Sequence, residues 1–265
     1  MKGGDIMDSR HPFDEGIDDW IESVDEAVKK EVTEDTKDFR LRFEKINSAL
    51  TLFSPIAEEL PIDHARWFHG EDGVLPRSSS IQIIMEFLTQ AVYMEASHLW
   101  PAANHSARCA FEHAFWTIWQ IGYPKESKTK IGGPGQVNFS GIEDAVFEIP
   151  RFKESNKKFE FPGPASTKKS LFKKIHEVYG HLSYYVHTSN IHIEMKGTRP
   201  HITHDLKINP KAERDTKQNF DETFELIVVL LSIACNEIIE QKQLSTLDKL
   251  LRKDVYTTLE DILTK

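Results

Sequence analysis

The chain has 265 residues, enough for one large domain, and 39% of them are hydrophobic, enough to bury a substantial core. Its 33 Lys and Arg stand against 42 Asp and Glu, a net charge of −9. With a pI near 5.8, that balance excludes a protein that coats duplex DNA non-specifically, because such binding sets many cations against phosphates. A local basic site remains compatible with it.

Residues 1–14 are polar and acidic without an apolar run, so no signal peptide is expected. Asp14 to Val32 is predicted as a first helix, with Ile17, Trp20, Ile21, Val24, Ala27 and Val28 on one side. Thr33, followed by Glu34 and Asp35, reads as the start of a second helix reaching about Leu60, with Phe39, Phe43, Ile46, Leu50 and Phe53 on its apolar side and Pro55 as a candidate kink. Pro61 to Arg77 is a loop by its Pro and Gly content. Ser78 to Ser80 cap a third helix, Ile81 to Trp100, and Pro101 opens a fourth, Ala102 to Ile121, which Gly122 and Pro124 end.

Tyr123 to Thr167 is the least regular stretch and is read as an insert or lid, with at most short helices near Ile142–Phe147 and Arg151–Lys157. Leu171 to Asn190 is predicted as one amphipathic helix. Leu171, Ile175, Val178, Leu182 and Val186 form its apolar stripe. His176, Gly180, Ser183 and His187 recur on another face, where the small Gly180 and Ser183 suit a close helix contact. NIHIEM and HITHDLKI alternate like two short strands of a hairpin. A long helix from Asn209-Pro210 to about Gln241 and a last one from Leu247 to Leu263 complete the chain. The most apolar stretch, Phe224 to Cys235, falls short of the ~20 residues of a membrane span and reads as a buried core helix. The two cysteines, Cys109 and Cys235, lie in apolar helical patterns and are expected as buried, reduced thiols of a cytoplasmic protein.

Four constellations bear on chemistry. Arg108 and Glu112 stand four residues apart on the edge of an apolar helix face, where an ion pair fixing helix register is the simplest reading and a catalytic role the sharper one. His181 and His187 are six residues apart, so they diverge by about 120° around a helix. His187, at the expected helix end, serves equally as a carbonyl cap or as an acid–base group. Glu95 and His98 make one Glu-x-x-His pair, but a di-metal site needs two, and no spacing clusters His192, His201 and His204 into a zinc site, so no metal or other cofactor is expected. The aromatics Trp100, Phe111, Phe115, Trp116, Trp119 and Tyr123 fall at helical spacing and read as packing. Walker, G-x-G-x-x-G and G-x-S-x-G motifs are absent from the sequence.

Arg108-x-x-x-Glu112 on one helix and YGHLSYYVHTS on a later one resemble the HEPN-like superfamily, in particular uncharacterised prokaryotic members with a YG-x-LS-x-Y-V-H segment, over about residues 80–240. The resemblance implies an up-and-down helical bundle, often dimeric. In active members an Arg-x(4–6)-His motif cleaves RNA without metal, the arginine on phosphate and the histidine assisting proton transfer. His187 matches the motif histidine, but six positions upstream stands His181 rather than arginine, and Arg108 followed by His113 has the spacing in an earlier helix.

The expected fold is therefore all-α: an N-terminal helical extension over 1–77 and a HEPN-like bundle over 78–265, with the insert at 123–167 and a small hairpin. The expected function is a cytoplasmic module that forms a homodimer and binds a partner protein or RNA, in a prokaryotic defence or toxin–antitoxin setting that only the resemblance supports. No membrane contact is expected. The alternative is a metal-independent endoribonuclease using His187 with Arg108 or His181. The candidate site residues are His187, His181, Arg108 and Glu112.

Overall fold

The computed structural model describes residues 36–59, 78–97, 99–122, 139–161, 168–186 and 210–264. Over these residues the chain is an all-α helical bundle with one minimal sheet. Helices α1 (Thr36–Glu59), α2 (Ser78–Ala96), α3 (Trp100–Gly122), α4 (Phe139–Glu148) and α5 (Pro150–Lys158) come first. Strands β1 (Glu160–Phe161) and β2 (Lys169–Ser170) lead into α6 (Leu171–Val186). Helices α7 (Pro210–Ala234), α8 (Gln241–Leu250) and α9 (Lys253–Leu263) follow. The predicted helix at 14–32, the loop at 61–77 and the hairpin in 191–208 lie outside the described residues, as do His98 and His187.

The C-terminal half of α7 is the axis. Leu226 through Leu231 are all fully buried, as are Ile233 and Ala234, so this helix is apolar on every side and has to be enclosed by others. α7 packs on α2, α3, α5, α6, α8 and α9, while α1 packs on α2 and α8. No helix among the described residues is long and apolar enough to cross a membrane. The stripe expected on α6 is observed: Leu171, Ile175, Val178 and Leu182 are fully buried. α1 runs unbroken through Pro55 and contributes Ile46, Phe53 and Ile56 to the same core.

Polar contacts fix how these helices meet. Asn104 of α3 donates through Nδ2 to Thr216 Oγ1 of α7 at 2.9 Å and accepts from Asn219 Nδ2 at 2.7 Å, all three buried. This network sets the α3–α7 register, since slipping either helix would strand buried amides. Arg42 of α1 donates through Nη1 to both carboxylate oxygens of Glu95 on α2, at 2.7 and 2.8 Å, with both side chains buried. Asp221 of α7 stands 3.5 Å from Arg42 Nε, and the guanidinium lies 4.9 Å from the Phe220 ring centroid. Glu95, the carboxylate of the lone Glu-x-x-His pair, is thus committed to an arginine.

Several predicted boundaries are corrected. The third helix stops at Ala96 rather than Trp100. Trp100 instead opens α3, where its carbonyl accepts from Asn104 Nδ2. α7 ends at Ala234 rather than near Gln241, because Arg151 Nη1 of α5 donates to the Ala234 carbonyl at 2.7 Å and a new helix is capped beyond it, with Gln243 Oε1 accepting from the Glu240 N–H at 2.6 Å. The single last helix is two. Leu251 and Arg252 are extended between α8 and α9, and Arg252 is held on Glu225 of α7 through its Nε, Nη2 and backbone N–H. The two short helices expected inside the insert are present. They are no peripheral lid: Phe139, Ile142, Val146, Phe152, Phe159 and Phe161 are buried in the main core. The antiparallel pairing of Glu160 with Ser170 and Phe161 with Lys169 is too short to show in any alternation. Gly180 does not mark a close helix contact among the described residues, none of which brings an atom from outside its own helix backbone within 4 Å of where its Cβ would stand. Cys109 and Cys235 are both free thiols, Cys235 buried and Cys109 only partly so.

Removing Glu95 leaves the buried Arg42 with only the more exposed Asp221 at 3.5 Å and Asp38 at 3.8 Å, so Glu95→Ala is expected to cost toward the lower end of about 3–5 kcal/mol. Joint replacement, Arg42→Met with Glu95→Leu, is expected to cost far less. Urea unfolding of both variants checks this, and equal losses would show that the pair contributes mainly through its packing.

Candidate functional site

α3 and α6 share a half-buried polar cluster at the edge of the core. On α3 the buried face is Ala107, Ala110, Phe111, Ala114 and Ile118, and Arg108 and Glu112 flank it one turn apart. Arg108 Nε donates to Glu112 Oε1 at 2.8 Å, and Arg108 Nη2 donates to the Tyr179 hydroxyl at 2.7 Å. The same hydroxyl donates to Glu112 Oε1 at 3.0 Å. The guanidinium also lies 4.9 Å from the Tyr179 ring centroid. The ring also stacks on Phe139 of α4, with centroids 3.9 Å apart and planes within 9°. Tyr179 therefore joins three helices, and its hydroxyl closes a ring of three hydrogen bonds.

The charges here are matched to each other. Burial works against the Arg108 cation, but the hydrogen bond and charge of Glu112, with Tyr179, outweigh it and raise its pKa. Burial and then the Glu112 carboxylate push the Tyr179 phenol up, against the opposing pull of Arg108. At neutral pH the cluster is an arginine cation neutralised by a carboxylate, with a protonated phenol between them.

The structure brings together two of the four sequence candidates, Arg108 and Glu112, and adds Tyr179. His181 is exposed on α6, two residues past Tyr179 and so about 160° around the helix from it; it does not meet Arg108. His187 lies outside the described residues. His113, which completes an Arg-x(4)-His spacing with Arg108, is turned about 140° away. It stacks on Phe87 of α2 at 5.3 Å, and burial, which favours the neutral ring, lowers its pKa against the opposing pull of the Glu112 charge. That spacing builds no joint site in α3.

A second pair was not legible in the sequence. Glu143 of α4 is 1% exposed, with Oε2 3.3 Å from Nε2 of the exposed His176 on α6. Its Oε1 is buried with no hydrogen-bond partner among the described residues. Burial, with Asp144 beside it, pushes the Glu143 carboxyl up to about 7. Two polar contacts of α6 thus lie one turn apart, His176 to α4 and Tyr179 to α3. No group of three or more His, Cys, Asp or Glu among the described residues could hold a metal ion.

Tyr179→Phe keeps the stacking on Phe139 but removes both hydroxyl bonds, one of them to a charged arginine. A loss of about 1–2 kcal/mol in chemical denaturation is expected. For Glu143 the raised pKa gives a sign. A carboxyl whose folded value lies above its unfolded one stabilises fully below the unfolded value, and that contribution is lost as pH rises through about 7. The Tm of the wild type relative to Glu143→Gln should therefore fall by a few degrees between about pH 5 and about pH 8. A constant difference would show that Glu143 is already ionised throughout.

Compared with protein-family models, with curated proteins and with solved structures, the chain matches none.

Proposed function

We propose that this chain is a HEPN-like helical module that acts by association, as a homodimer and with a partner protein or RNA, and does not cut RNA. The observation that carries the reading is the engagement of Arg108. Its Nε is bound to Glu112 and its Nη2 to Tyr179. A phosphate approaching that guanidinium meets a carboxylate already 2.8 Å away, which repels it and has to be displaced. The arginine is better suited to fixing α3 against α6 than to stabilising charge that develops on a phosphodiester. The acidic total of −9 also favours association at a defined face over general polyanion binding. A defence or toxin–antitoxin setting rests on the sequence resemblance alone.

The competing reading is a metal-independent endoribonuclease that uses His187 with Arg108 or His181. Both readings are tested on the full chain in EDTA against structured and single-stranded RNAs. The association reading expects intact RNA. Cleavage that is abolished by His187→Ala, with Tm nearly unchanged, would replace it with the enzyme reading. Self-association is read separately by sizing, where about twice the 30.5 kDa chain mass is expected; a clean monomer at micromolar concentration would remove the homodimer from the proposal.

A further inference from the structure

Charge is distributed unevenly along this acidic chain. Residues 148–177 carry eight Lys and Arg against four Asp and Glu, a local charge of +4, which leaves −13 for the remainder. Arg151 is engaged on the Ala234 carbonyl and Lys174 on Glu222, so the cations gathered at one end of the bundle are six lysines against the same four acids, an excess of two. Asn156 Oδ1 of α5 accepts from the Phe172 N–H at 2.9 Å, which seats α5 against the first turn of α6. The β1–β2 pairing sets Phe161 opposite Lys169. Lys153, Lys157 and Lys158 of α5 are thereby gathered with Lys168, Lys169 and Lys173 at the start of α6. Five of the six are exposed and Lys169 is half-buried. Lys174 is turned away, 2.9 Å from Glu222 of α7.

Four of the lysines have carboxylate partners: Lys153 with Glu148, Lys158 with Glu154, Lys168 with Glu160 and Lys169 with Glu177. The first three of these pairs face solvent, and such pairs are weak and readily exchanged; the Lys169–Glu177 pair is half-buried. Four acids cannot neutralise this many cations. The position itself is electrostatically unfavourable, because Lys168, Lys169 and Lys173 crowd the positive end of α6, whose first turn holds no acid.

Beside the lysines runs a short aromatic ladder. Phe147 of α4 meets Phe172 edge-on at 5.0 Å, and Phe172 meets His176 at 4.5 Å. Both phenylalanines are half-buried, and His176 presents its ring at the surface. Lysines set along an aromatic edge are the combination that holds an unpaired strand, with cations on the phosphates and a ring against a base.

We infer that the end of the bundle made by α5, the β1–β2 pair and the first two turns of α6 binds a single strand of nucleic acid. Lys153, Lys157, Lys168 and Lys173 contact phosphates, and His176 lies against a base. This deepens, and rests on, the RNA-binding arm of the function proposed above, and it places that binding away from Arg108.

The test is fluorescence anisotropy of the full chain with a labelled uridine-rich RNA oligonucleotide and the matching DNA strand, at low and at physiological salt. The wild type should bind, with a salt slope of about −2 to −3 for three or four phosphates. The triple reversal Lys157→Glu, Lys168→Glu, Lys173→Glu should weaken binding by about tenfold or more and flatten that slope. His176→Ala should weaken it several-fold at an unchanged salt slope. The control triple Lys37→Glu, Arg40→Glu, Lys249→Glu makes the same charge change on exposed positions of α1 and α8 and should leave binding within about twofold. Thermal melts show that each variant is folded. Equal losses in the two triples would overturn the face, as would a wild type that binds RNA with no loss in the first triple, and in both cases RNA binding itself would stand. A wild type that binds neither strand would overturn the RNA arm as well. Competition by polyglutamate as effective as by unlabelled RNA would reassign the face to an acidic polypeptide.

Discussion

An all-round apolar helix is the constraint on which this structure depends. From Leu226 to Leu231 α7 has no polar side, so it is stable only if neighbours enclose it completely. Non-directional burial, however, does not choose one arrangement of neighbours over another. That choice falls to a few polar contacts: the buried Asn104, Thr216 and Asn219 between α3 and α7, the buried Glu225 gripping the exposed Arg252 before α9, and the half-buried Arg151 on the last carbonyl of α7. The buried Asn104, Thr216, Asn219 and Glu225 would be left unsatisfied in a slipped arrangement, and the cost of a buried unpaired group exceeds the modest gain of making the bond.

Legibility in the sequence follows the same division. Periodicity alone located the stripe of α6, the apolar side of α1, the buried stretch of α7 and the two short helices within the insert, because burial of a repeating face is a local property of the pattern. It failed where ends are decided by distant partners. Nothing near Leu251 breaks a helix; the break follows from a glutamate 27 residues earlier that holds Arg252. The end of α7 follows from an arginine 83 residues away. Gly180 shows the converse, a small residue that suits a close contact where no neighbouring helix among the described residues approaches.

The site divides likewise. Arg108 with Glu112 was readable from their four-residue spacing. Tyr179 was not, since it meets them across 71 and 67 residues. Its place at the border of the apolar stripe, next to the buried Val178, was the one available signal. Glu143 was hidden by the irregular composition around it, although its neighbours Ile142 and Val146 are buried. Of the two α6 contacts, the one at Tyr179 is charge-balanced and closed. The one at His176 opens to solvent beside the lysines, and the molecule is therefore electrically lopsided, with a basic end on an acidic body.

The position of α7 along the chain bears on how the protein is made. The helix that forms the axis begins only at Pro210, so every earlier helix leaves the ribosome before the surface it will cover exists. α2 and α3 are near neighbours in sequence and can pair at once, but the faces of α3, α5 and α6 that pack on α7 stay open until that helix arrives. Domains collapse as units once their parts are present. For this protein that moment comes only once the helix beginning at Pro210 has been made, and a product terminated before Pro210 would carry an unfilled centre and the aggregation hazard that goes with it.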